Sequence, residues 1–175
     1  AAAAGDLGAR DVLISVAASG GTPYTVAAQA ASRGAGCLTI ALASVPNSPL
    51  LAGADHPILL DTGPEVIAGS TRMKAGTAQK AALTVLSSAI MIRLGHVHDG
   101  LMVDVQPTNA KLVRRAQAMV ARVAGCLDAT AEEALARANG QVKLAVLLAR
   151  GMPEDAAKAA LAKAKGRLRA AMAVR

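Results

Sequence analysis

Apolar and polar positions divide the chain into strand-like runs followed by helical repeats. Residues 12–18 (VLISVAA), 37–43 (CLTIALA) and 56–62 (HPILLDT) are short apolar runs with almost no polar alternation. Runs of that length, rich in β-branched residues in the first, predict strands. Their lack of alternation predicts parallel strands buried on both faces. After SGGTP, the stretch YTVAAQAASRG predicts a helix ending at Gly34. VPNSP is expected as a loop and LLAGA as a short helical turn. Strand, helix, strand, short helix, strand is the order of a parallel sheet between helical layers, an α/β/α sandwich.

From Ser70 to about Leu94 the period becomes helical, with Met73, Leu83, Leu86, Ile90 and Leu94 recurring on one side. Ser70 or Thr71 is the expected cap and Gly95 the stop. HVHDGLMVDVQP is expected as a connection with a short strand at LMVDV, and His96 and His98 as exposed loop residues. TNAKLVRRAQAMVARVAG predicts an amphipathic helix capped by Thr108. Beyond Gly125, three short helices are expected: TAEEALARANG, QVKLAVLLARG and PEDAAKAALAKAKGRLRAAM. Thr130 with Glu133 matches a capping box, and Pro153 suits a first helical turn. The expected division is therefore a sheet-containing domain over residues 1–124 and a small helical subdomain over 125–175. Three strands make a thin sheet, and the chain opens abruptly on four alanines. We therefore expect the natural protein to have a further N-terminal portion.

Composition narrows the function classes. Apolar residues make up 53% of 175 positions, yet Phe and Trp are absent and Tyr24 is the one aromatic. The core must be built from Ala, Val, Leu, Ile and Met. No apolar run approaches the ~18 residues of a membrane span, and the first ten residues lack a signal-peptide pattern. A cytoplasmic protein without membrane contact is expected. Cys37 and Cys126 have no metal-ligand spacing and are expected as free thiols. The formal net charge is +7, and residues 151–175 carry six Lys/Arg against two acids. Without aromatic interleaving or a recognition motif this reads as a solvated helix face, with no nucleic-acid partner.

Three stretches could carry chemistry. In ASGGTP (18–23) a buried strand ends, the backbone turns over Gly20 and Gly21, and a helix begins with Thr22 at the cap and Pro23 at its first position. Free N–H groups and the positive helix end there suit an oxyanion, with Ser19 and Thr22 as hydroxyl donors. The alternative is an ordinary capped turn. GPEVIAGSTRMKAGTAQK (63–80) brings Glu65, Ser70, Thr71 and Arg72 to the start of the long helix. Arg72, Gly76 and Lys80 fall on one face of a helix that begins at Ser70. Glu65 could act as a general base or could pair with Arg72 or Lys74. VPNSP (45–49) offers Asn47 and Ser48 as donors to sugar hydroxyls, or as plain turn residues. The chain has no GxxxxGK[ST] loop, no GxGxxG fingerprint, no G-x-S-x-G element and no metal-ligand set. This excludes a nucleoside-triphosphatase loop and a dinucleotide site, and no cofactor or metal is expected.

AASGGTPY followed by GPEVIAGSTRMKAGTAQK resembles the N-acetylmuramic acid 6-phosphate etherases. These belong with the glucokinase regulatory proteins to the sugar isomerase (SIS) domain superfamily. GLMVDVQPTNAKL and ANGQVKLAVL also resemble family segments, so the likeness runs from Asp11 almost to the end. The resemblance implies a SIS-type α/β/α sandwich, incomplete here at its N-terminus, followed by a three-helix bundle of ubiquitin-associated type. It implies a homodimer and a phosphosugar at the carboxyl edge of the sheet. Ser19, Gly20 and Thr22 would grip the phosphate, Ser70, Thr71 and Arg72 would line the signature helix, and Glu65 would be the catalytic acid of related isomerases. The implied reaction cleaves the D-lactyl ether without a metal, giving N-acetylglucosamine 6-phosphate and D-lactate. Gly21 stands where the family commonly has Arg, and the carboxylates usually assigned to the etherase reaction fall in an N-terminal portion that these residues do not contain. A phosphosugar-sensing regulator and an aldose–ketose isomerase are the alternatives, and residues 1–175 alone are expected to be inactive.

Overall fold

A computed structural model describes residues 7–174; the opening alanines lie outside the described residues. The chain divides into two compact units, Ala1–Leu86 and Ser87–Arg175. In the first unit the order is β1 (Val12–Val16), α1 (Pro23–Gly34), β2 (Leu38–Ala43), α2 (Pro49–Ala52) and β3 (His56–Leu59). The three strands form a parallel sheet in the order β1-β2-β3, so the expected α/β class and all three strands are present. Val16 pairs with Leu42, and Leu42 with Ile58. Parallel neighbours require crossovers, and α1 and α2 supply them.

The two faces of this sheet differ. Ala17, Ala41 and Ala43 lie on one face and pack with Leu50 and Leu51 of α2, which their small side chains let approach closely. Alternation sends Val12, Ile14 and Leu38 to the other face. There Leu42 is fully buried, but Val12 is 55% and Leu38 42% exposed, so on this face burial is confined to the carboxyl end of the strands. Apolar content marks a strand but does not say what covers it.

A polar lock sits where β2 and β3 begin. The Asp55 carboxylate accepts hydrogen bonds from Thr39 N (2.9 Å) and Thr39 Oγ1 (2.7 Å) and lies 3.1 Å from the Arg33 guanidinium. The Thr39 bonds, aided by the Arg33 charge, hold this carboxyl below the usual aspartate range. Cys37 is a buried free thiol, and Cys126 is free and half-buried.

α3 (Lys74–Arg93) runs across the boundary between the units. It begins four residues later than expected from Ser70. Arg72 therefore precedes the helix and does not share a helical face with Gly76 and Lys80.

The second unit opens with a hairpin, β4 (Val97–His98) and β5 (Leu101–Met102). Asp99 and Gly100 make its two-residue turn with φ 45° and 76°. An Asp-Gly pair between apolar residues is a hairpin signal; the short strand expected at LMVDV is present as β5, whereas its partner β4 falls in what was expected as loop. His98 is buried on β4, contrary to the expected exposed loop, and only His96 keeps partial exposure.

Five helices follow: α4 (Ala110–Ala124), α5 (Asp128–Arg137), α6 (Val142–Ala149), α7 (Glu154–Lys163) and α8 (Leu168–Met172). Four of these lie beyond Gly125 where three were expected, because the last run breaks at Lys165 and Gly166, both at positive φ. α4 is capped by Asn109, not Thr108: Asn109 Oδ1 accepts from Leu112 N at 3.0 Å. Gly125 closes it in the left-handed conformation, φ 69°. Thr130 lies inside α5, one turn past the actual cap at Leu127, so the capping box does not form. Pro153 is the cap residue of α7, one position before its first turn. Ala116, Val120, Ala131, Ala145, Leu147 and Leu168 are buried in one core that α4 shares with the later helices. Alanines at the contacts let α4, α5 and α6 pack closely, and the larger aliphatic chains fill the centre.

Candidate functional site

Parallel strands present their carboxyl ends along a single edge, and ligands of open α/β sheets bind outside that edge. The loops after β1, β2 and β3 all leave from it. In the first loop Ala17 ends the strand by taking a bond from Gly20 N (2.9 Å), and Gly20 turns at φ 65°. Ser19 Oγ accepts from Gly21 N at 3.3 Å. Thr22 is the cap residue of α1 by its extended backbone (φ −60°, ψ 115°), but its side chain makes no capping bond. Pro23 follows, and the first turn carries no acid. The N–H groups of Tyr24 and Thr25 therefore lack the side-chain oxygen that usually meets them. An uncapped helix start beside Ser19, Gly20 and Thr22 is the arrangement that receives an oxyanion.

The second loop is tied to the first. Ser44 N donates to Ala18 O (2.8 Å) and Leu50 N to Gly20 O (2.9 Å). Both carbonyls are thus turned towards the protein. Ser48 is buried against Gly20, while Asn47 is exposed in the left-handed region at φ 54°, the geometry of a turn residue.

In the third loop Glu65 does something that its sequence position did not announce. Its Oε2 accepts from Lys74 N (3.0 Å) and its Oε1 from Ala75 N (3.2 Å), so the carboxylate caps α3 from nine residues upstream. Ser70 and Thr71 do not cap that helix; Ser70 Oγ instead accepts from Arg72 N at 3.3 Å. The Lys74 ammonium donates to Pro64 O (2.8 Å), not to Glu65. The main-chain bond from Lys74, reinforced by that from Ala75, keeps the Glu65 carboxyl below the ordinary value near 4.5. Thr71 and Arg72 are exposed. A Cβ on Gly76 would stand 3.7 Å from Thr71 O, an ordinary contact. Among the described residues no hydrogen bond joins the 18–22 loop to the 63–74 segment.

The second unit holds a cleft of about 1220 Å³ lined by His96, Asp104, Gln106, Gln117 and Lys143 among others. Asp104 joins the His96 imidazole to the Lys143 ammonium, which lies 3.1 Å away and whose side chain is 12% exposed. Sequence spacing did not single out this trio: His96 and Asp104 flank the β4–β5 hairpin, and Lys143 stands on α6. Among the described residues no group of three or more His, Cys, Asp or Glu side chains could hold a metal ion. No helix among them is long and apolar enough to cross a membrane.

The parallel sheet and the helix start uncapped at its carboxyl edge define the chain as an α/β protein. No family model matches the chain. Its relatives are consistent: the chain is related to the N-acetylmuramic acid 6-phosphate etherases over most of its length. It is 54% identical to one from Deinococcus radiodurans over 143 residues, covering 82% of this chain and 47% of that protein. It is 48% identical over 167 residues to one from Edwardsiella ictaluri, covering 95% and 56%. One from Streptomyces avermitilis is 45% identical over 177 residues, covering 98% and 57%. The chain thus spans about half the length of the curated relatives it matches.

Proposed function

We propose that these residues form the phosphosugar-binding part of an N-acetylmuramic acid 6-phosphate etherase, a cytoplasmic lyase of cell-wall amino sugar recycling. The observation that carries the reading is the uncapped start of α1 behind SGGT, in a chain this similar to proteins of that name. The phosphate of the sugar sits on the Tyr24 and Thr25 amides with the hydroxyls of Ser19 and Thr22. Gly20 lets the backbone turn beneath it. Ser70, Thr71 and Arg72 line the neighbouring loop and add a cation.

The reaction opens the sugar ring, removes the proton beside the carbonyl, expels lactate from the adjacent carbon and adds water to the resulting double bond. It needs one base and one acid. Glu65 is this chain's candidate base. It is ionised at neutral pH, and each carboxylate oxygen retains a lone pair beyond its bond to α3. The main-chain bonds that lower the Glu65 pKa also make it a weak base, so the remaining acid–base groups belong to the rest of an etherase-length polypeptide. The whole enzyme is a homodimer in this proposal. α3 supports that reading: Leu83, Val85, Ile90, Met91 and Ile92 are exposed along it, and Ala75 is its one buried residue.

The test is D-lactate release. An etherase-length polypeptide carrying these residues should liberate D-lactate from N-acetylmuramic acid 6-phosphate. Residues 1–175 alone should bind the sugar phosphate without turnover. Ketose formed from an aldose 6-phosphate, with no lactate, would replace the etherase by an isomerase.

A further inference from the structure

The least expected contact at the sheet edge is between Gly20 and Ser48. A Cβ built on Gly20 would stand 2.1 Å from Ser48 Oγ, 2.4 Å from Ser48 Cβ and 3.1 Å from Ala43 Cβ. Ser48 therefore fills the volume that any other residue at position 20 would need. Ser48 is 4% exposed, and its Oγ has no hydrogen-bond partner among the described residues. Ser48 holds the cap position of α2, with φ −64° and ψ 152°, and makes no capping bond. Such a hydroxyl loses its hydration on burial and recovers nothing from a protein acceptor. Neither capping nor hydrogen bonding accounts for it, and what remains is its shape and place.

We infer that Ser48 is a positioning residue for the 18–22 loop, bracing Gly20 in its left-handed turn so that the amides at the start of α1 face the phosphate. Two main-chain bonds, Ser44 N to Ala18 O and Leu50 N to Gly20 O, hold the loop from outside. Ser48 closes the gap beneath it. The bracing is steric: Ser48 Oγ and Cβ both stand in the volume beside Gly20, and the hydroxyl makes no hydrogen bond. This inference rests on the phosphosugar reading for its ligand, though not for its geometry.

The geometry dictates three variants. Ser48→Ala keeps the Cβ and removes a hydroxyl that has no partner. Ser48→Gly removes the brace and leaves a residue that helix caps tolerate. Gly20→Ala places a methyl where Ser48 stands and also bears the positive φ.

Gly20→Ala should lower the folding equilibrium constant more in the Ser48 protein than in the Ser48→Gly background. The difference should be about tenfold, the scale on which relieved overpacking acts. With N-acetylglucosamine 6-phosphate as probe, Ser48→Gly should weaken binding about tenfold and speed amide exchange of residues 20–22. Ser48→Ala should stay within about twofold of wild type in both.

Equal losses from Gly20→Ala in the two backgrounds would overturn the brace. So would a Ser48→Ala variant as weak as Ser48→Gly, which would make the hydroxyl itself the working group. Coupling and exchange are read without ligand. If wild type binds neither N-acetylglucosamine 6-phosphate nor inorganic phosphate while the coupling appears, the phosphosugar reading falls and the brace stands.

Discussion

Glu65→Gln separates the two duties that the structure lays on one side chain. The native carboxylate offers an oxygen to each of two amides, Lys74 N and Ala75 N. The glutamine carbonyl can serve one, and its NH2 then faces the other amide donor to donor. The variant loses half the cap and all of the charge at the helix start. If Glu65 also moves a proton, kcat/KM for D-lactate release should fall by roughly 10²–10⁴, the usual contribution of a positioned base. If it only caps, kcat/KM should stay within about threefold and the loss should appear as stability alone.

Because the folded carboxyl titrates below its ordinary value near 4.5, the wild type is stabilised relative to Glu65→Gln above that pH. The advantage should shrink as pH falls from 4.5 through the folded pKa, where both states bind the proton. The assays are coupled lactate detection at neutral pH and urea unfolding of both proteins from pH 7 to pH 3. An activity within threefold of wild type would refute Glu65 as the base. A stability difference independent of pH across the acid range would refute the carboxylate cap.

Other variants address the frame around the site. Asn109→Ala removes the acceptor for Leu112 N and should cost about 1 kcal/mol in urea unfolding, whereas Thr108→Ala should cost almost nothing. Gly125→Ala meets no atom within 4 Å but must bear φ 69°, so it should cost about 1–2 kcal/mol from backbone strain alone. Leu147→Ala in the core of the second unit, where Leu147 is 1% exposed, should cost about 2–5 kcal/mol by thermal or chemical unfolding.

Much of the first unit was legible before the structure. Three apolar runs at 12–18, 37–43 and 56–62 gave three parallel strands, because a strand's pattern is local and needs no knowledge of its neighbours. The helix from Pro23 to Gly34 was equally readable, with Pro at its start and Gly at its end. Caps were less so. Thr71, Thr108 and Thr130 all have the right chemistry, yet the structure uses Glu65, Asn109 and the backbone at Leu127. A cap depends on where the chain turns, and a shift of one to four residues moves the amide out of reach. The hairpin at 97–102 was signalled by Asp-Gly but was masked by its brevity.

The sequence by itself determined the class of fold, the glycine turn after β1 and the likeness to an etherase, because these rest on residues adjacent in the chain. Only the tertiary structure decided that Glu65 holds the start of α3, that Ser48 stands under Gly20, and that Asp104 joins His96 to Lys143. Each of these pairs is separated by between 8 and 39 residues. Contacts of that kind follow from how elements pack, and packing is a property of the whole fold that no local pattern encodes.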